Sequence, residues 1–250
     1  MSASADAASP LGRGTLIVTP TYNERTNLEE FVNRTLGRAP AAHLLIVDDA
    51  SPDGTGELAD SIASADSRVR VLHRPSKLGL GTAYMAGFQQ GLADGYQVLF
   101  EMDADLSHDP QDLPKFFGAL ELGADVVIGS RNIPGGGIQG WGPGRYALSK
   151  GGSLYARLIL GVELHDLTSG FKAYTASAVR ALNLPSLRSN GYSFQIETTY
   201  RALRAGLRVV EVPIVFLDRR AGQSKMDRAI FAEAVAMVWK LRWASLRGRL

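Results

Sequence analysis

Short apolar runs alternate with amphipathic stretches through the first half of the chain. Thr15 to Thr19 (TLIVT), Leu44 to Val47 (LLIV), Val69 to Leu72, Gln97 to Met102 (QVLFEM) and Asp125 to Ile128 are brief and β-rich, which predicts five buried strands. Between them, Arg25 to Leu36 carries Leu28, Phe31, Val32 and Leu36 at helical spacing. A second helix runs to about Ala63, a third covers Gly81 to Leu92, and a fourth opens at Pro110, since proline is tolerated in a first turn. Short strands separated by helices pair in parallel through crossovers and are buried on both faces. The predicted fold is α/β, with a Rossmann-like, mostly parallel central sheet flanked by helices. Ligands of such sheets sit beyond the carboxyl ends of the strands, so chemistry is expected in the residues that follow each strand.

The second half is less regular. Asn132 to Gly144 holds six glycines and two prolines and reads as a flexible connector, a lid or a substrate loop. Helices are expected over Arg145 to Leu160 and Ser193 to Ala205, then an extended stretch from Val209 to Phe216. A last helix is expected from about Asp227 to Leu246. It places Ile230, Phe231, Ala234, Val235, Val238 and Leu241 on one stripe, beside Trp239 and Trp243 and the basic Lys240, Arg242, Arg247 and Arg249. That pattern fits a C-terminal amphipathic helix lying on anionic lipid, and equally one packed on the core with a solvated basic end. The expected organisation is a disordered tail over 1–13, a catalytic domain over 14–226, and this helix over 227–250.

Composition narrows the choices. The chain has 250 residues, is 45% hydrophobic and 21% charged, and carries a net charge of +2, which gives no ground for nucleic acid as a partner. The absence of cysteine excludes disulfides, zinc–thiolate sites and a cysteine nucleophile. Met1 to Pro10 lacks the basic and apolar regions of a secretory signal. No window reaches the roughly 18 apolar residues of a transmembrane helix, so membrane association is expected to be peripheral or through a partner.

Acidic residues cluster where the strands end. Asp103-Ala104-Asp105 closes the fourth strand, where the chain turns and two carboxylates can converge on one Mg2+ or Mn2+ ion shared with a diphosphate. The plainer alternative has one Asp capping the helix near Pro110 and the other in solvent. After the second strand, either Asp48 or Asp49 suits base or ribose hydrogen bonds, while Ser51 and Asp53 read as turn and cap residues. After the first strand, the ring of Tyr22 and the carboxylate of Glu24 suit a nucleoside. No P-loop or G-x-S-x-G motif occurs. Gly79 to Tyr84 begins like a dinucleotide fingerprint but has Tyr84 where a small residue belongs, so Gly79 and Gly81 read as turn residues. His108 is expected to hold its loop by hydrogen bonds. Arg131, Arg145, Arg219, Arg220 and Lys225 are either phosphate ligands or ordinary surface charge.

Together, PTYNE (Pro20 to Glu24), VDDASPDGT (Val47 to Thr55), DADLSHDP (Asp103 to Pro110), GSR (Gly129 to Arg131), DLTSGFKAY (Asp166 to Tyr174) and DRRAGQSK (Asp218 to Lys225) resemble the dolichol- and polyprenol-phosphate mannose synthases, within the family-2 glycosyltransferases of GT-A fold. The resemblance implies a nucleotide pocket of Pro20, Tyr22, Glu24, Val47 and Asp49. It implies a metal on Asp103 and Asp105, with the Ala104 backbone near the donor. Arg131, Arg145 and Ser149 would bind the acceptor phosphate, and Arg219 and Lys225 the donor phosphates, with Asp105, Arg131 and Arg145 catalytic. Some relatives place a metal-binding Gln at the position of Ser107, so the shorter Ser107 is expected to act through a water.

The implied reaction is inverting transfer of mannose from GDP-mannose to polyprenyl or dolichyl monophosphate, at the cytoplasmic face of a membrane, with a separate membrane-anchoring protein as a further partner. A phosphate monoester has its second pKa near ~6, so it is already a nucleophile and needs no protein base. Three other readings stay open. One is a sister enzyme using UDP-glucose. Another is a polysaccharide glycosyltransferase with a hydroxyl acceptor, for which Asp166 is the candidate base. The last is an inactive nucleotide-sugar-binding scaffold.

Overall fold

A computed structural model describes residues 11–187, 189, 191–218 and 228–248. Its first half alternates as the hydrophobic pattern predicts: β1 (Thr15–Thr21), α1 (Arg25–Arg38), β2 (His43–Asp48), α2 (Thr55–Ala65), β3 (Val69–His73), α3 (Leu80–Ala93) and β4 (Val98–Glu101). A single 3-10 turn at Pro110–Asp112 leads into α4 (Leu113–Glu121), followed by β5 (Val126–Ser130). The second half contains β6 (Gly137–Gln139), α5 (Pro143–Leu160), β7 (Lys172–Thr175), α6 (Ala176–Ala181), α7 (Gly191–Arg204), β8 (Val209–Pro213), β9 (Val215–Leu217) and α8 (Arg228–Leu246).

The main sheet runs β3-β2-β1-β4-β7-β5-β8. Every pairing in it is parallel except the two made by β7, which runs antiparallel between β4 and β5 and sets Ala173 opposite both Phe100 and Val127. Residues alternate between its faces, as the period of two requires. Ile17 joins Phe31, Phe100, Phe116 and Phe171 under α1, α2 and α4, whereas Leu16 and Val18 join Tyr84, Phe88 and Phe194 under α3 and α7. Each such side chain, fully buried, contributes roughly 1.5–3 kcal/mol. Gly87 and Gly91 let α3 lie close to the sheet, because a Cβ at either would run into Val18 or Leu99.

One expectation is corrected. The glycine-rich segment is not a loose connector: Gly137–Gln139 pairs in parallel with Val215–Leu217, and Trp141 meets Phe216 edge to face at 5.4 Å. The expected extended stretch from Val209 is present, divided into two strands, one in each sheet. Glycine content signals turns but says nothing of a distant strand able to supply backbone partners.

A third cluster joins α5, α7 and α8 through Ala156, Leu160, Ile196, Tyr200, Val238 and Leu241. Helix α8 is therefore packed on the body by part of its stripe, while Trp239 and Trp243 stay 46% and 54% exposed. The side chains of Ile230, Phe231 and Ala234 lie outside the described set, as do residues 1–10 and Arg249. Among the described residues, no helix is long and apolar enough to cross a membrane.

Candidate active site

Three loops leave the carboxyl ends of β1, β2 and β4, and each contains a non-glycine residue in the left-handed region: Asn23 (φ 61°), Ala50 (φ 52°) and Leu106 (φ 61°). Such backbone costs energy and persists where surrounding structure enforces it. Here the loops after β1 and β2 enforce each other. The Asn23 N–H donates to Ser51 Oγ (3.1 Å), the Glu24 N–H to Thr55 Oγ1 (3.0 Å) and the Arg25 N–H to Asp53 Oδ2 (3.3 Å). Burial raises the Asp53 pKa, but the bonds it accepts from the Thr55 hydroxyl and N–H and from the Arg25 N–H outweigh it, so the carboxyl titrates below its ordinary value. Ser51 and Asp53 are turn and cap residues, as expected.

These loops open a cleft of about 300 Å³. Pro20, Tyr22 and Glu24 line it after β1, Asp49 after β2, and Asp103, Ala104 and Asp105 after β4. Of the adjacent acids after β2, the structure separates two roles. Asp48 is consumed by its loop, accepting from Thr21 Oγ1 (2.9 Å), Ser51 Oγ (2.6 Å) and the Ser51 N–H (3.0 Å). Asp49 reaches the cleft and is ion-paired with the buried Arg74, while its Oδ2 accepts from the Leu78 N–H at 3.2 Å. Lys77 stands 4.0 Å over the Tyr22 ring, a cation–π contact that fixes one side of the cleft.

Asp103 and Asp105 turn into the cleft on separately braced backbone. Asp103 Oδ1 accepts from the Tyr84 hydroxyl at 2.8 Å, and its N–H donates to His108 Nδ1 at 3.3 Å. Burial and the neighbouring carboxylate push the Tyr84 hydroxyl well above its ordinary pKa, so it remains a neutral donor. His108, stacked on Phe171 at 5.1 Å, holds the loop as the sequence predicts. Asp105 Oδ1 accepts from the Ser107 N–H at 3.0 Å, while the buried Ser107 Oγ makes no hydrogen bond among the described residues. No group of three or more acidic, histidine or cysteine side chains converges as a metal cage among the described residues. The two carboxylates of Asp103 and Asp105 lining the cleft are a donor set that fits a hard cation completing its shell with water and phosphate oxygens.

Beneath Asp103 lies a buried charged pair. Glu101 faces Lys172 across the β4–β7 pairing and accepts from the Tyr174 hydroxyl at 3.0 Å. Burial, opposed by the charge of Lys172, pushes Glu101 up to about 6. Burial, opposed by Glu101 and Asp166, brings Lys172 down to about 8. Lys172 Nζ donates to the Gln195 carbonyl at 2.8 Å and so ties α7 to the sheet.

The remaining predicted residues fall elsewhere. Val47 is a core residue of β2 one step before the acids. Arg131 is buried against Asp166, and Thr168, which lines the cleft, receives its Nη2 at 2.8 Å. Ser149 is half-buried on α5, one turn after Arg145, whose side chain lies outside the described set. Arg219, Arg220 and Lys225 lie outside the described residues. Sequence reasoning missed Arg74, Lys77, Gly170 and Gln195. None of them left a local signal, Gln195 included, because Ser193, Glu197, Thr198 and Thr199 around it are equally polar.

Comparison with known proteins agrees with this geometry. The family model for Glycosyl transferase family 2 matches residues 16–182. The chain is 50% identical over 237 residues to a polyprenol monophosphomannose synthase of Mycolicibacterium smegmatis, covering 94% of this chain and 88% of that protein. It is also 50% identical over 239 residues to an undecaprenyl-phosphate mannosyltransferase of Micrococcus luteus, covering 94% and 98%. Among solved structures, glucosyl-3-phosphoglycerate synthase from Mycobacterium tuberculosis, in complex with Mn2+, UDP-glucose and phosphoglyceric acid, superposes with a TM-score of 0.67 at 22% identity over 93% of this chain and 80% of that one, a likeness of fold. With its GT-A fold and its acidic strand-end cleft, this chain belongs to glycosyltransferase family 2.

Proposed function

We propose that this glycosyltransferase moves mannose from GDP-mannose to a polyprenyl- or dolichyl-type monophosphate, with inversion, at a membrane surface. The observation that carries the reading is the convergence of Tyr22, Glu24 and Asp49 on the same cleft as Asp103 and Asp105. A nucleoside end and a diphosphate end are thereby joined. The relatives named for mannosyl transfer to polyprenol and undecaprenyl phosphate support the sugar and the acceptor.

In this reading Pro20, Tyr22, Glu24 and Asp49 hold the nucleoside, with Val47 as the buried floor behind it. Asp103, Ala104 and Asp105 face the diphosphate, with Arg219 and Lys225 closing on it. Asp103 and Asp105, with Ser107 through water, would hold Mg2+ or Mn2+, which when bound neutralises charge on the leaving diphosphate. The acceptor phosphate is assigned to Arg131, Arg145 and Ser149, Arg131 reaching the cleft wall through Thr168. A dianionic phosphate oxygen attacks the anomeric carbon as the bond to the diphosphate oxygen breaks, giving a β-linked product from an α-linked donor. Asp105, Arg131 and Arg145 are the groups on which this step depends.

The hydroxyl-acceptor alternative is disfavoured by Asp166. That carboxylate is fully buried and held ionised by Arg131, so it is not placed to take a proton from a sugar hydroxyl. For membrane access, Trp239, Trp243 and Leu246 of α8 and Leu154 and Leu158 of the adjoining α5 are exposed apolar side chains beside Lys240 and Arg247. Such a surface suits the cytoplasmic leaflet, alone or with a membrane-anchoring protein.

A donor-by-acceptor assay tests the reading. Product is expected from GDP-mannose with polyprenyl phosphate and a divalent cation, and none from the corresponding polyprenol. Turnover only with UDP-glucose would sink the mannose assignment, and a retained anomeric configuration would sink single displacement.

A further inference from the structure

Among the groups of helix α7 that the proposed reaction leaves unused, one lines the cleft. Between residues 193 and 200 this helix is buried on all sides, yet Ser193, Gln195, Glu197, Thr198 and Thr199 are polar. Glu197 is occupied by Ser189 and Arg201, and Thr198 by the Phe194 carbonyl and Lys172. Gln195 alone of the five lines the cleft. It is 2% exposed, and neither its Oε1 nor its Nε2 makes a hydrogen bond of ordinary geometry among the described residues. Its amide does stand against the Glu101 carboxylate and lowers that group's pKa, but a carboxylate can only accept from Nε2 and leaves Oε1 without a donor. A buried amide left in this state is costly unless something else completes it.

The surroundings say what would complete it. A Cβ built on Gly170 would stand 3.6 Å from Gln195 Nε2 and 3.6 Å from Asp103 Oδ2. The space over Gly170 is thus bounded by an amide on one side and a carboxylate on the other. Phosphate offers acceptors only. It would satisfy Nε2 and leave Oε1 facing negative oxygens. A sugar hydroxyl both donates and accepts, so a pair of neighbouring hydroxyls matches an amide atom for atom. The backbone under the amide is fixed, because Lys172 Nζ holds the Gln195 carbonyl at 2.8 Å.

We propose that Gln195 and Gly170 form the sugar-recognising corner of the cleft, with the Gln195 amide hydrogen-bonding hydroxyls of the donor's hexosyl group over the bare Gly170 backbone. This rests on the cleft taking a nucleotide sugar. The corner should therefore matter to a nucleotide sugar and not to the matching nucleoside diphosphate.

Titration calorimetry of the full chain with GDP-mannose and with GDP, each with Mn2+, tests it in wild type, Gln195→Ala and Gly170→Ala. Both variants should lose about tenfold or more in affinity for GDP-mannose, while GDP binding stays within about twofold of wild type. Equal losses for both ligands would assign the amide to the diphosphate or to the fold. No loss for either would leave the corner without a role. Both outcomes overturn the proposal. Gly170→Ala guards against a folding failure, since its methyl would meet its neighbours at ordinary contact distance on backbone that is not left-handed. If wild type binds UDP-glucose but not GDP-mannose, the mannose reading fails while the corner is still read from UDP-glucose against UDP. If wild type binds neither nucleotide sugar, both fall together.

Discussion

Arg131 grips the fully buried carboxylate of Asp166 through Nε and Nη2, both at 2.7 Å, and donates its backbone N–H to the same group at 3.1 Å. Breaking one half of such a pair strands the other charge in a dry setting. Asp166→Asn should therefore cost about 3–5 kcal/mol in urea unfolding. Burial raises the Asp166 pKa, but Arg131's charge and hydrogen bonds outweigh it, so the folded value lies below the ordinary one. The pair's contribution is complete above the unfolded carboxylate pKa and is lost as pH falls through the lower folded value. Wild type should show that acid loss, and Asp166→Asn should not.

If Asp103 and Asp105 hold a cation as proposed, Tyr84, which donates to Asp103 Oδ1, orients one of the carboxylates without touching the ion. Asp105→Ala should lower kcat at least about 100-fold, with melting shifted by no more than a lost hydrogen bond explains. Tyr84→Phe should leave the carboxylates in place yet weaken the apparent Mn2+ affinity by about 10–100-fold. A Mn2+ titration of initial rates distinguishes the two, because excess Mn2+ rescues Tyr84→Phe and not Asp105→Ala.

Glu101 and Lys172 give opposite slopes of stability against pH. An unfolded Glu releases its proton near 4.5 and the folded one near 6, so stability falls as pH rises across that window. An unfolded Lys keeps its proton to 10.5 and the folded one to about 8, so stability rises with pH between those values. Lys172→Met alone should cost about 3–5 kcal/mol at pH 7, and the double variant Glu101→Gln with Lys172→Met should recover most of it. Urea midpoints across pH 4–10 should show both slopes flattened in the double variant.

The exposed apolar side chains on α5 and α8 predict lipid binding, and Lys240 and Arg247 beside them predict that salt weakens it. Trp239→Ser with Trp243→Ser should reduce co-sedimentation with anionic vesicles by several-fold while leaving activity on a water-soluble short-chain acceptor phosphate near wild type. Equal loss of both would mean that the tryptophans support the fold instead.

Five strands and the three acidic loops were legible because each obeys a local rule: a short apolar run, then a turn, then a carboxylate. What escaped reading depends on distant partners. Lys172–Thr175 is four residues long and carries a buried lysine, so nothing local marks it as a strand; only Glu101 across the sheet explains the charge. Gly137–Gln139 reads as loop because its hydrogen-bond partners lie some eighty residues away in Val215–Leu217. Arg74 belongs to no motif, and only the fold sets it against Asp49. Gln195 sat in a helix whose hydrophobic rhythm drew attention to its neighbours.

The reversed strand β7 also governs what happens to an incomplete chain. It is the wedge between β4 and β5, and neither touches the other without it. A fragment ending before Lys172 would hold all the acidic loops yet leave one edge of β4 and, with β8 gone too, both edges of β5 open, each a row of unpaired amides ready to recruit another molecule. Shortened products of this chain should accordingly aggregate rather than bind nucleotide weakly, and the last third of the protein serves the solubility of the first two.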